Sequence, residues 1–364
     1  MRKDNVRLNR RIARWLIRRT PVVRRIVPSP GATRNPVDHV VILDGTNSSL
    51  VPGNETNAGL VYKLLRETAP SSTLNLHYEA GISWNSWRST WAIISGNGIN
   101  GRIMRAYGAI SSRYQPGDRI FLIGFSRGGY AVRSLAGIIG MVGLLKQSEA
   151  TQRNVTQVFR HYEIDPESPA AKSFCDQFCH ETVEIECLAV WDTVKSLGFR
   201  APVFWRLTEG RYQFHNHRIG PHVKNGYQAL ALDESREAFT PVLWETPADF
   251  GGDLEQVWFR GSHGDIGGQL TGFNEARPRS NISLIWLVER MEKCGLVLPN
   301  NWIKRIEVDF LAPFVGSWRG WAKFFLARKR RVVGNDPSES VHSSVVAWAQ
   351  AGNTPAPKRP INSD

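Results

Sequence analysis

The chain has 364 residues, 41% hydrophobic and 22% charged, the composition of a soluble globular protein with room for one large core or two small ones. No apolar run approaches the roughly 18–20 residues that span a bilayer, and the arginine-rich N-terminus, with only short apolar stretches, excludes a secretory signal peptide. The net charge of +13 sits in two segments: residues 1–30 carry ten arginines and lysines against Asp4 alone, and 316–333 carry six with no acid.

Residues 1–30 read as a basic amphipathic appendage. Leu8, Ile12, Trp15 and Leu16 share one helical face among arginines, Pro21 ends the helix, and Pro28-Ser29-Pro30-Gly31 reads as a linker. A catalytic domain is expected over 31–349, opening on the strand Val40-Val41-Ile42-Leu43. A helix over 57–68, an extended segment over 74–78 and a helix over 99–114 follow. The clearest strand is Arg119 to Gly124, then a helix over 128–145, strands over 185–191 and 256–259, and a helix over 281–294. Strands alternating with helices predict an α/β fold, a three-layer sandwich around a mostly parallel sheet. The proline-containing stretch 350–364 reads as a disordered tail.

The chemistry centres on Gly124-Phe125-Ser126-Arg127-Gly128. The pentapeptide alone is a weak signal, but an apolar strand precedes it and a helix follows, as a nucleophile elbow requires. Ser126 is the candidate nucleophile, with the Arg127 N–H at the helix start as one oxyanion donor. A serine nucleophile needs a base, and the base an orienting acid, each just past a strand end. Asp192 after strand 185–191 and His263 after strand 256–259 fill those places. Asp265 is expected to support the loop, though it could be the acid, and His342 is an alternative base. Gly45 or Thr46 would supply the second oxyanion donor, on a turn braced by Asp44 and Asn47. His215, His217 and His222 cluster without acidic ligands at suitable spacing, so no metal is expected. The turn at 124–128 has neither a Walker nor a G-x-G-x-x-G spacing, and no cofactor is expected. The four cysteines are too few for a disulfide framework; free thiols and a reducing compartment fit them better.

Five motifs occur in order: Asp44-Gly45-Thr46-x-Ser48, Gly124 to Gly137, Val190-Trp191-Asp192-Thr193-Val194, Ala229 to Arg236 within Ala-Leu-Ala-Leu-Asp-Glu-x-Arg, and Gly261-x-His263-x-Asp265-Ile266-Gly267-Gly268. This set resembles an uncharacterised α/β-hydrolase family that includes the catalytic domain of type VI secretion phospholipase effectors. The resemblance implies Ser126 as nucleophile, Asp192 as acid, His263 as base, and a lipid or phospholipid ester as substrate. It departs from the family at Gln269-Leu270, where a third glycine and an aromatic are common.

A serine esterase or lipase is therefore expected, cytoplasmic or peripheral on a membrane. Residues 1–20 and 314–331, where Trp318, Trp321, Phe324 and Phe325 precede Arg328 to Arg331, would dock an anionic bilayer. No nucleic-acid partner is expected, because aromatic residues among the basic ones serve lipid equally well. The alternative is an inactive hydrolase fold that binds a membrane or protein partner through its basic arms.

Overall fold

The computed structural model describes residues 34–69, 71–81, 97–194, 218–317 and 327–351. The readings made for 1–30, for the aromatic residues of 318–326, for the tail beyond 351, and for His215 and His217 lie outside them.

Seven strands build the sheet: β1 (Asp38–Leu43), β2 (Leu74–Glu79), β3 (Arg119–Phe125), β4 (Cys187–Trp191), β5 (Asn225–Ala231), β6 (Asp253–Phe259) and β7 (Glu339–Val341). They lie in the order β2-β1-β3-β4-β5-β6-β7, and every neighbouring pair is parallel. A parallel sheet needs cover on both faces, so its central strands read as continuous apolar runs. In β1 all six residues are buried. Because alternate side chains face opposite ways, Val41, Leu43, Leu122 and Val190 meet α2 (Asn97–Ser111), α3 (Arg127–Met141) and α4 (Gln152–Ile164). Val40, Ile42, Phe121, Ile123 and Ala189 meet α1 (Asn57–Thr68) and the long helix near 277–293 on the other face. Each such fully buried valine, leucine, isoleucine or phenylalanine contributes about 1.5–3 kcal/mol, which makes the two core layers the main source of stability. The fold is therefore the expected α/β three-layer sandwich, with a sheet that is parallel throughout.

The remaining helices are α5 (Pro169–Phe178), α6 (His263–Gly267), α7 (Arg277–Lys293) and α8 (Ser343–Gln350). From β1 the chain first moves outward to β2, then returns to β3 on the opposite side of β1. Strand order thus reverses between β1 and β3, and the crevice beyond their C-terminal ends is where such sheets bind ligands. Leu43 pairs with Gly124 in that register, which brings the loop after β1 and the turn at Ser126 to the same rim.

Two glycines make the turn after β3 possible. A Cβ on Gly124 would lie 2.6 Å from the Gly128 carbonyl oxygen, and one on Gly128 would lie 1.9 Å from the Leu43 carbonyl oxygen. Backbone occupies both spaces, so no side-chain adjustment would relieve the clash. Strand β5 was not expected from sequence: Asn225-Gly226-Tyr227-Gln228 is poor in β-branched residues. It holds a central position because Gln228, fully buried, donates to the Val242 carbonyl and accepts from Arg133. All four cysteines are free thiols.

Candidate active site

Ser126 sits between β3 and α3 with φ 58° and ψ −121°, a conformation that non-glycine residues adopt only when their surroundings enforce it. Its N–H donates to the Trp191 carbonyl, and its own carbonyl accepts from Tyr130 in the first turn of α3. Those bonds, with the glycine contacts, hold Oγ on the rim. Asp192, also at positive φ (36°), follows β4 directly. His263 opens α6 just beyond β6, where Ser262 and Asp265 form a reciprocal capping box.

The three side chains form one hydrogen-bonded line. His263 Nδ1 lies 2.6 Å from Asp192 Oδ2, and His263 Nε2 lies 2.8 Å from Ser126 Oγ. An ionised carboxylate only accepts, so Nδ1 carries the proton and Nε2 is left to accept from the serine hydroxyl. Ser126, His263 and Asp192 are 6%, 3% and 0% exposed, so water screens little of this chain of charges. Phe125 stacks on the His263 ring at 4.9 Å and Phe239 meets it edge-on at 5.0 Å, restricting its rotation.

Several supporting residues were not anticipated as such. Arg331 donates from Nη1 and Nη2 to the two carboxylate oxygens of Asp192, and also to the Ala231 and Phe239 carbonyls. The Ala231 N–H adds a bond of 3.0 Å to Asp192 Oδ1. Burial alone would push the Asp192 carboxyl up; the Arg331 charge, joined by bonds from His263 and Arg331, holds it well below the usual carboxylate range. Glu234, 1% exposed, accepts the His263 N–H at 3.1 Å while gripping Arg236 through two side-chain bonds. Gln269, at the departure from the family pattern, donates to the Thr46 carbonyl at 2.7 Å and ties the histidine loop to the loop after β1.

The expected loop-supporting residues occupy bracing positions. Asp265 accepts from the Ser262 hydroxyl and N–H and from the Val315 and Gly316 N–H groups. The acid bonded to His263 is Asp192, not Asp265. Asp44, fully buried, accepts from the Gly45 N–H, the Thr56 hydroxyl and the Tyr78 hydroxyl. Burial pushes its carboxyl up despite those bonds. The expectation for Gly45 changes accordingly: its N–H is engaged at 2.6 Å by Asp44 Oδ1 and is not free for an oxyanion. The N–H groups of Thr46 and Arg127 make no hydrogen bond to a described residue. Burial, reinforced by the neighbouring Arg102 charge, pushes the half-buried Arg127 guanidinium down to about 10.

His342 is not beside Ser126's hydroxyl proton. Its Nδ1 accepts from Ser344 at the start of α8, and its ring stacks on Phe259 at 4.6 Å. His222 donates to the Ala136 carbonyl at 2.8 Å, a packing contact. Among the described residues no group of three or more histidine, cysteine or acidic side chains could hold a metal ion. Within the basic run 328–331 expected to meet a bilayer, Arg328 bonds Ser235 and Ser317 and Arg331 bonds Asp192, while Lys329 and Arg330 are exposed. No described helix is long and apolar enough to cross a membrane.

An uncharacterized protein of Saccharomyces cerevisiae is 27% identical over 239 residues, which cover 58% of this chain and 33% of the yeast protein. A solved structure of the Tle1 effector bound to the VgrG spike of the type 6 secretion system aligns at 18% identity with a TM-score of 0.34. That alignment covers 65% of this chain and 52% of the effector. The chain thus spans a third to a half of the relatives it matches. Residues 38–290, which contain Ser126, Asp192 and His263, match the catalytic domain of Tle1-like type VI secretion phospholipase effectors, and the chain belongs to that family.

Proposed function

We propose that the protein is a serine hydrolase that cleaves carboxylic esters of lipids or phospholipids through an acyl-enzyme on Ser126. The observation that carries this reading is the unbroken line from Ser126 Oγ through His263 to Asp192, at 2.8 and 2.6 Å. Family membership supports a lipid substrate.

In this mechanism Ser126 Oγ attacks the ester carbonyl carbon while His263 Nε2 takes the hydroxyl proton. Asp192 balances the imidazolium that forms. The carbonyl oxygen, now an anion, is received by the N–H groups of Arg127 and Thr46, and the Arg127 side chain adds positive charge nearby. The tetrahedral species then expels the alcohol, which leaves with the proton from His263. Water enters, gives its proton to His263, attacks the acyl carbon and releases the fatty acid, and Ser126 recovers its proton. His263 serves as base and then acid in both halves, while Oγ attacks in the first half and leaves in the second, which is why a single serine suffices.

The test is covalent labelling by a fluorophosphonate, followed by hydrolysis of short-acyl and long-acyl esters and of phospholipid vesicles. Wild-type protein should label at Ser126, and Ser126→Ala should neither label nor turn over. A purified Ser126→Ala protein with wild-type ester hydrolysis would refute the assignment.

A further inference from the structure

Arg331 lies outside the matched family region and 139 residues of sequence away from Asp192, yet it makes four hydrogen bonds at the site. Its side chain is 4% exposed. Two of its bonds clamp the Asp192 carboxylate, and the other two fix the guanidinium to the end of β5 and to Phe239, whose ring rests on His263. A carboxylate that accepts from a histidine alone can rotate and share its charge with water. This one cannot, because each oxygen is already held.

We infer that Arg331 is a positioning residue for the hydrolytic reaction: its planar fork fixes the Asp192 carboxylate toward His263 and offsets its charge, so the Asp192–His263 pair keeps its working protonation state in more acidic solution. The inference rests on the reading of Ser126 as nucleophile.

The charged groups around the pair agree on the sign. Asp192 meets His263 from β6 and Arg331 from the segment before β7. Glu234, past the end of β5, faces the His263 backbone, but its charge is matched by Arg236. Arg331 is therefore the cation that the pair feels directly. Without it, a fully buried carboxylate keeps only the Ala231 N–H and the imidazole, and burial drives the pair to take up a proton at higher pH. Arginine is specified over lysine because the two-pronged grip needs a planar fork.

The experiment measures the second-order rate of fluorophosphonate labelling of the full chain from acidic to alkaline pH. In Arg331→Gln the acid limb should move up by about one pH unit, with labelling at least tenfold slower on the acidic side. Arg331→Lys, which keeps the charge and loses the fork, should leave the limb in place and label more slowly at every pH. A folded Arg331→Gln protein whose limb and rate match wild type overturns the inference. If the Gln protein does not fold, the Lys protein decides, and wild-type labelling rates in it overturn the inference. Absence of labelling in the wild type would instead refute the nucleophile reading itself, so the two failures are distinct.

Discussion

Glu234→Ala offers a test of how the histidine loop is held. Glu234 is fully enclosed, and its carboxylate joins the Arg236 guanidinium, the Arg236 N–H and the His263 N–H. Alanine would take the Glu234 carboxylate from a guanidinium that is 10% exposed and would remove the acceptor of two backbone N–H groups. Breaking a buried ion pair from one side costs about 3–5 kcal/mol. In a domain of this size each kcal/mol moves the midpoint by about 2 °C, so a fall of about 6–10 °C is expected. The loss should depend on pH in a defined direction. Burial raises the Glu234 carboxyl, but the hydrogen bonds and charge of Arg236 outweigh it and hold it below the ordinary value. A depressed folded-state value means that the stabilisation is fully present above the unfolded carboxyl range, about pH 4–5, and disappears as pH falls through the folded value. The gap between wild type and variant should therefore be widest near neutrality and close in acid. Thermal unfolding followed by circular dichroism at pH 7, 5 and 3.5 measures it. A midpoint within about 2 °C of wild type at pH 7, or a gap that stays constant into acid, would refute the argument.

Two further substitutions separate alternatives within the site. Thr46→Pro removes the N–H assigned to the oxyanion, and Thr46 does not lie at positive φ, so proline is not excluded by that test. Ester turnover should fall by about 10²–10³, and a folded Thr46→Pro protein with full turnover would return the role to another donor. His342→Ala should keep wild-type labelling at Ser126, since that ring accepts from Ser344 and stacks on Phe259. Loss of labelling in a protein that unfolds at the wild-type midpoint would restore His342 as a candidate base.

The residues that meet at Ser126 were legible because each sits directly after an apolar strand, and a parallel sheet brings all such positions to one rim. Motif-bearing loops thus revealed Asp192 and His263 before any coordinates. Arg331 was read as part of a basic run that meets a bilayer, because sequence cannot show which arginines of a cluster turn inward. Glu234 was visible only as part of a motif, with no chemistry attached to it. Gly45 was a reasonable donor by position, and only the 2.6 Å bond from its N–H to Asp44 shows that the donor is taken. Arg133 shows the reverse hazard. It lies within the most distinctive motif, yet it is a core residue stacked 4.3 Å over Trp244 and bonded to Gln228 and Val242. β5 and β7 escaped detection for physical reasons: one is held by a buried glutamine rather than by β-branched side chains, and the other is three residues long.

The route that the chain takes through the sheet also sets when the candidate site can assemble. The site draws on Asp44, Ser126, Asp192, Glu234, His263 and Arg331, and β7 joins the sheet only at 339–341. Parallel pairing across such separations closes long loops before any contact repays them, and folding of this kind is slow. A ribosome-bound chain that has emerged as far as His263 still holds Asp192 without its guanidinium clamp. Completion of the site is thus a late event in biosynthesis, and a truncated product ending before Arg331 would carry the serine, the histidine and the aspartate in an unfinished setting.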